Sequence, residues 1–180
     1  FYPPSKAIEN KSVLDVNKIH FLLEKEQNRK KIINDINIEL KNYNFENIFN
    51  LNFPFNRLKT RYDDLETSLI KGLLQNILPK RIRTKILNTL CTRYLDMSIL
   101  EFAKELYLNK KELIELYDNK MHIGSHGEYH LRLGELTLKE QKKEILNSIK
   151  FFKKLKFDTN NLSICYPYGS YNVTTLKLVE

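Results

Sequence analysis

No apolar run in this chain approaches the roughly 20 residues that a bilayer-spanning helix requires, so no membrane span is expected. Cysteine is scarce: Cys91 and Cys165 stand far apart, with no CxxC pattern. That excludes a disulfide framework and a zinc ribbon and leaves two buried thiols as the expectation. Arginine is scarce too. Lysine outnumbers it 23 to 7 within a net charge of +8, yet Arg is the usual reader of phosphates and bases. The lysines are spread along helical patterns with acids among them, as in KKELIELYDNK, which is how solvated helix faces look. A nucleic-acid partner is therefore not expected. FYPPSKAIEN lacks the basic and apolar regions of a signal peptide. Internal repeats and low-complexity linkers are absent as well.

What is present is ordinary for one globular domain: 180 residues, 42% hydrophobic and 29% charged. Phe1-Tyr2 reads as the end of a strand stopped by Pro3-Pro4, and NVTTLKLVE as a helix just beginning, so the expectation is a piece of a longer protein. Strands are few and short. MHIGS (121–125) and LSICYP (162–167) are the two candidates, each closed by turn residues. Between them Thr137 and Glu140 form a T-x-x-E capping-box signature, and Ile145, Ile149 and Phe152 recur at helical spacing. Strand, helix, strand at this spacing predicts a βαβ unit with a parallel pair. Residues 13–119 read as a mainly helical insertion. Val16, Ile19, Leu22 and Leu23 mark its first helix, and further helices are expected near 64–77, 80–95, 98–108 and 110–118, with Pro79 separating the first two of these. The Asn-Phe-rich NYNFENIFNLNFPFNR is expected to be a loop ending at Pro54.

Among four histidines, two stand four apart in IGSHGEYHLRL. Neutral imidazole is a common ligand for zinc, and this spacing within a helical turn would put both rings on one face, so His126 and His130 are candidate metal ligands. His122 falls in an extended segment and reads as structural or exposed. YPYGSYN (166–172) reads either as a strand-to-helix turn capped by Asn172 or as a rigid loop presenting a backbone N–H to an oxyanion. Asp63-Asp64 precedes an apolar helix, so Asp64 reads as its N-cap. His20, beside apolar positions, reads as a satisfied packing residue. Both special loops follow strands of a parallel architecture, where working residues gather on one rim.

IGSHGEYHLRLGELTLKEQKKEI and SICYPYGSYN together resemble the polysaccharide deacetylase family, carbohydrate esterase family four, in the order and spacing of Gly-Ser-His-x-x-x-His, helix and Tyr-Pro-Tyr-Gly. The helical block resembles one in family members associated with bacterial surface sugars. The resemblance implies an α/β fold, a partial, distorted (β/α) barrel, with 1–180 as one incomplete deacetylase domain whose 120–180 segment carries the active-site loops. It implies metal-dependent hydrolysis of an N-acetyl or O-acetyl group of a sugar. His126 and His130 would hold a divalent metal, zinc first, and the main chain of Tyr168 would donate to the oxyanion on a substrate loop shaped by Tyr166, Pro167 and Gly169. The family's Thr-Phe-Asp-Asp-Gly, which supplies the base and third ligand, is expected before Phe1, and its general-acid His after Glu180. On this reading these residues alone are inactive. Cys165 stands where many members carry Arg, and Gly127 replaces Ser or Thr after the first His, a change expected to loosen the loop. Alternatives are a non-catalytic deacetylase-like carbohydrate-binding protein and a basic nucleic-acid-binding helical module.

Overall fold

A computed structural model of the chain describes residues 1–45 and 62–180. Most of the Asn-Phe-rich segment lies outside them. The chain divides into two compact units, one of Asp15–Ile99 and one of Phe1–Leu14 with Leu100–Glu180.

The Asp15–Ile99 unit is helical, and its sequence shows why. In α2 (Asp15–Lys25), Ile19, Leu22 and Leu23 are buried at helical spacing, and in α3 (Arg29–Asn42) Ile32, Ile36 and Leu40 repeat every fourth residue. These meet α4 (Leu65–Gly72) and α5 (Lys80–Leu95), whose Ile70, Ile86, Leu87 and Leu90 complete the cluster. Asp64 caps α4 by accepting from the Thr67 amide, as its position before the apolar run implied. The chain winds on as a π-helical turn over Leu73–Ile77. It then straightens at Leu78, because the following Pro79 disfavours helical backbone there. His20 is exposed rather than packed: it falls on the solvent side of α2, next to Ile19 in sequence but about 100° away around the helix.

The other unit is built on three extended segments and the helices that cover them: α1 (Ser5–Asn10), α6 (Ile99–Leu106), α7 (Lys110–Asp118), α8 (Leu138–Lys154) and α9 (Val173–Val179). The Phe1 nitrogen donates to the His122 carbonyl at 2.7 Å, and the Gly124 amide donates back to Phe1 O at 2.8 Å. Ser125 N–H donates to Ser163 O at 2.8 Å, and Cys165 N–H to Ser125 O at 2.9 Å. Both are the slanted bond pairs of parallel pairing. The 121–125 segment thus lies between the other two.

The pairing ends there. Among the described residues the only bridge outside helices is Ser125 with Ile164, and no strand forms. The expected strands at 121–125 and 162–167 are one-bridge contacts, because the chain turns away at Gly127 (φ +78°) and Pro167 immediately beyond them. A (β/α) barrel is not completed by these residues. Cys91 is buried but Cys165 is exposed, contrary to the expectation of two buried thiols.

Helix boundaries follow local chemistry. Asn109 with Glu112, Thr137 with Glu140, and Asn172 with Thr175 close reciprocal capping boxes on α7, α8 and α9. Leu113 of α7, Phe151 and Phe152 of α8, Ile8, Ile123 and Phe157 form the core of this unit, with Tyr117 stacked on Phe157 at 4.0 Å. Phe152 is fully buried, so Phe152→Ala should lower stability by about 3–5 kcal/mol, read as a shift of the urea midpoint. A shift under about 1 kcal/mol would show that this core is not what holds the unit together.

Candidate metal centre and active-site loop

Gly124 explains why the motif begins with glycine. A Cβ there would lie 2.3 Å from the Tyr2 ring and 2.8 Å from Ser163 O, so only glycine lets the flanking segments close on it. Ser125 follows, buried, its hydroxyl 2.7 Å from that of Ser148 on α8 and accepting the Gly127 N–H at 3.2 Å. Gly127 is held as well as permissive. Its carbonyl accepts from Ser5 N–H at 3.1 Å, and the neighbouring Glu128 carbonyl accepts from Lys6 N–H at 3.0 Å. The loosening expected from this glycine is not what the structure shows: the loop is pinned to α1 and to the Ser125 side chain.

His126 and His130 are not on a helix, so the shared helical face expected from their spacing is absent. The loop between them turns through positive φ at Gly127 and again at His130 (φ +60°), a region that His enters more readily than most residues. The rings still meet, with centroids 4.7 Å apart and planes at 63°. His126 Nδ1 lies 2.7 Å from the Cys165 carbonyl oxygen. That oxygen can only accept, so Nδ1 carries a proton and Nε2 is the nitrogen left for a ligand role. Burial, then the His126 ring and the Arg132 guanidinium, hold His130 down to about 4, so it is neutral at pH 7. Two imidazoles, one already oriented through its second nitrogen, fit two ligand positions of a divalent metal. Among the described residues no group of three or more His, Cys, Asp or Glu side chains is placed to hold one.

The second loop closes on the first. Cys165 is bonded to both Ser125 and His126 through its main chain. Tyr166 is half-buried, its ring 5.0 Å from that of Tyr171, while Pro167 is buried and opens a single 3₁₀ turn to Gly169. Tyr168 sits within that turn at φ +58°, its ring 4.7 Å from His130, and the Arg132 guanidinium lies 4.1 Å over the Tyr168 ring. The predicted residues of both loops are therefore brought together. His122 is exposed and hydrogen-bonded to Ser163 at 2.6 Å, apart from this cluster, and Asp63 pairs with Lys71 at 2.7 Å.

Sequence reasoning missed Arg132 and Glu144. Glu144 is buried on α8, and its Oε1 accepts the Tyr129 N–H at 2.6 Å. Burial raises its pKa, while the amides of Tyr129, Leu131 and Glu128 oppose that rise. The signal was available: an acid beside Ile145, on the inward stripe of an amphipathic helix, must have partners. Arg132 carried no comparable signal.

The profile of the polysaccharide deacetylase family matches residues 76–180. The chain belongs to that family. The matched stretch contains every residue of the two loops. A Bacillus subtilis (strain 168) protein named "Putative polysaccharide deacetylase YxkH" is 35% identical over 74 residues, 41% of this chain and 26% of that relative. The match thus spans well under half of that relative's length. No solved structure matches the chain. The family is generally metal-dependent and acts hydrolytically on carbohydrates, which agrees with two imidazoles brought together on one loop. Among the described residues no helix is long and apolar enough to cross a membrane.

The His130 shift has a signed consequence. At pH 8 both folded and unfolded rings are neutral and its contribution to stability is complete. Below the ordinary value of 6.5 the unfolded ring takes up a proton first, so stability falls until the folded ring follows at about 4. His130→Gln should remove that loss, measured as the difference between the two urea midpoints across this window. A difference that does not change with pH would show that the ring is not held neutral. Taking the difference cancels Glu144, whose raised pKa acts with the opposite sign.

Proposed function

We propose that this chain is part of a metal-dependent deacetylase that removes an acetyl group from an amino sugar of a bacterial surface polysaccharide or its precursor. The observation that carries this reading is the convergence of the His126–His130 pair with the Tyr168 turn, three side chains in series with ring centroids 4.7 Å apart at each step. His126 and His130 would hold the ion, zinc first. When bound it supplies Lewis acidity to the acetyl carbonyl and makes a water acidic enough to attack at neutral pH.

The chain's own residues prepare that reaction in three ways. The Cys165 carbonyl fixes the tautomer and direction of His126, which saves reorganisation when the ring takes on a ligand role. Burial keeps His130 free of a competing proton. The Pro167-anchored turn holds Tyr168 in a left-handed conformation, and its main-chain N–H is the proposed donor to the oxyanion, worth a factor of about 10²–10³ in comparable sites. The base and the third ligand are proposed to be the Asp pair of the family's first motif, and the general acid its later His. No described carboxylate of this chain joins the two rings in a metal-holding group. These residues alone are therefore proposed to bind metal weakly and to turn over no substrate.

Zinc titration of the chain should show binding that weakens at least ~10-fold in the His126→Ala, His130→Ala double variant. Equal affinity in the two would sink the ligand assignment. The longer protein should release acetate from an N-acetyl sugar in a zinc-dependent manner. Binding of the sugar without acetate release would instead make it a deacetylase-like carbohydrate-binding protein.

A further inference from the structure

We infer that Glu144 is the positioning residue that shapes the loop between His126 and His130 and so sets the distance between the two rings. The inference rests on the metal-ligand reading of those histidines and adds to it the residue that makes them a pair.

The loop passes through the left-handed region twice, at Gly127 (φ +78°) and His130 (φ +60°). For a side chain with a Cβ that conformation costs of order 1–2 kcal/mol, and it persists only where the surroundings over-determine it. Neither position lies in a helix or a ladder, so hydrogen bonding has to come from elsewhere.

Glu144 supplies it from α8. Its carboxylate accepts from Tyr129 N–H at 2.6 Å, the length of a strong charge-assisted bond, and the Leu131 and Glu128 amides also favour its charged form. These three amides bracket His130 and follow Gly127. Contact between the two elements is close: a Cβ at Gly127 would come within 3.0 Å of Glu144 Oε1. Glycine at 127 and a carboxylate at 144 therefore go together, one making room for the other. Glu128 adds a second attachment to the same helix, accepting from the Asn147 side chain at 2.8 Å, and it pairs loosely with Lys6 at 3.7 Å.

A carboxylate buried only for packing would be a poor choice, because desolvation opposes it and a neutral side chain of the same size would avoid that cost. What the charge contributes is an acceptor with several lone pairs aimed at a loop whose amides have no ladder partner. No hydrogen bond joins Glu144 to either His ring, its bonded partner being the Tyr129 amide. Its effect on them runs through the main chain of Tyr129 and Leu131.

The test uses Co²⁺ as a spectroscopic probe on this chain, with Glu144→Gln as the near-isosteric variant. Co²⁺ affinity should fall ~10–100-fold, the usual effect of losing a residue that orients metal ligands. The visible absorption bands of the bound ion should shift as well. Amide exchange at Tyr129 and Leu131 should speed up at least ~10-fold relative to the α7 amides, which report global opening. A role in packing alone would move the urea midpoint and leave the Co²⁺ spectrum as it was, and that outcome overturns the proposal. Unchanged exchange at Tyr129 does so too. If the variant does not fold, exchange in the unaltered chain decides: Tyr129 must be the slowest amide from 126 to 131, and a fast one refutes the assignment. Co²⁺ binding that survives His126→Ala, His130→Ala would instead refute the ligand reading, while the exchange data still judge Glu144.

Discussion

The main chain of Ser125 is bonded on either side of Ile164, donating to Ser163 and accepting from Cys165. Everything at the candidate site hangs on that contact. It sets the start of the His126 loop level with the start of the Tyr166–Gly169 turn, although 39 residues separate His126 from its partner Cys165. It also explains the small residues before His126: glycine where two segments close on the backbone, and serine where a buried hydroxyl meets another on α8. Two backbone bonds would be a weak basis by themselves. Ser125 itself is buried, which removes water as a competitor for the same groups.

Around this contact the structure assigns separate tasks to backbone and side chains. Main-chain groups bring the loops together, and buried side chains give each loop its shape. Ser125 and Glu144 act on the His loop, and Pro167 acts on the Tyr168 turn. Side chains at the surface of the cluster are then left for chemistry, with His126 oriented by a carbonyl, His130 kept neutral and Arg132 lying over Tyr168. That arrangement is the basis of the proposed reading, in which a metal and an oxyanion donor would face one acetyl group from different loops.

Much of the helical architecture could be read directly. The helix over 80–95 and that over 110–118 have the limits the sequence predicted, because Pro79 and Asn109 are local signals that act within one turn. The caps at Asp64, Thr137 and Asn172 hold for the same reason. Strands were less legible. A short apolar run closed by glycine or proline describes an extended segment well but does not say how many hydrogen bonds it will make, since that number depends on how soon its neighbours turn away. His20 and Cys165 were misplaced because a single polar or small residue in an apolar stretch does not reveal which side of its element it occupies.

The sequence by itself determined the helices, their caps, the identity of the two loops and the family, since all of these depend on residue type at short spacing. The four-residue interval between His126 and His130 was also visible there, but its meaning was not. The interval suggested a helix, and the rings instead meet across a doubly left-handed loop. Only the tertiary structure decided that, because a positive φ at a histidine is held in place by acceptors elsewhere in the chain. Glu144 comes from a helix 14 residues beyond His130, and no local pattern could announce that its carboxylate would reach back.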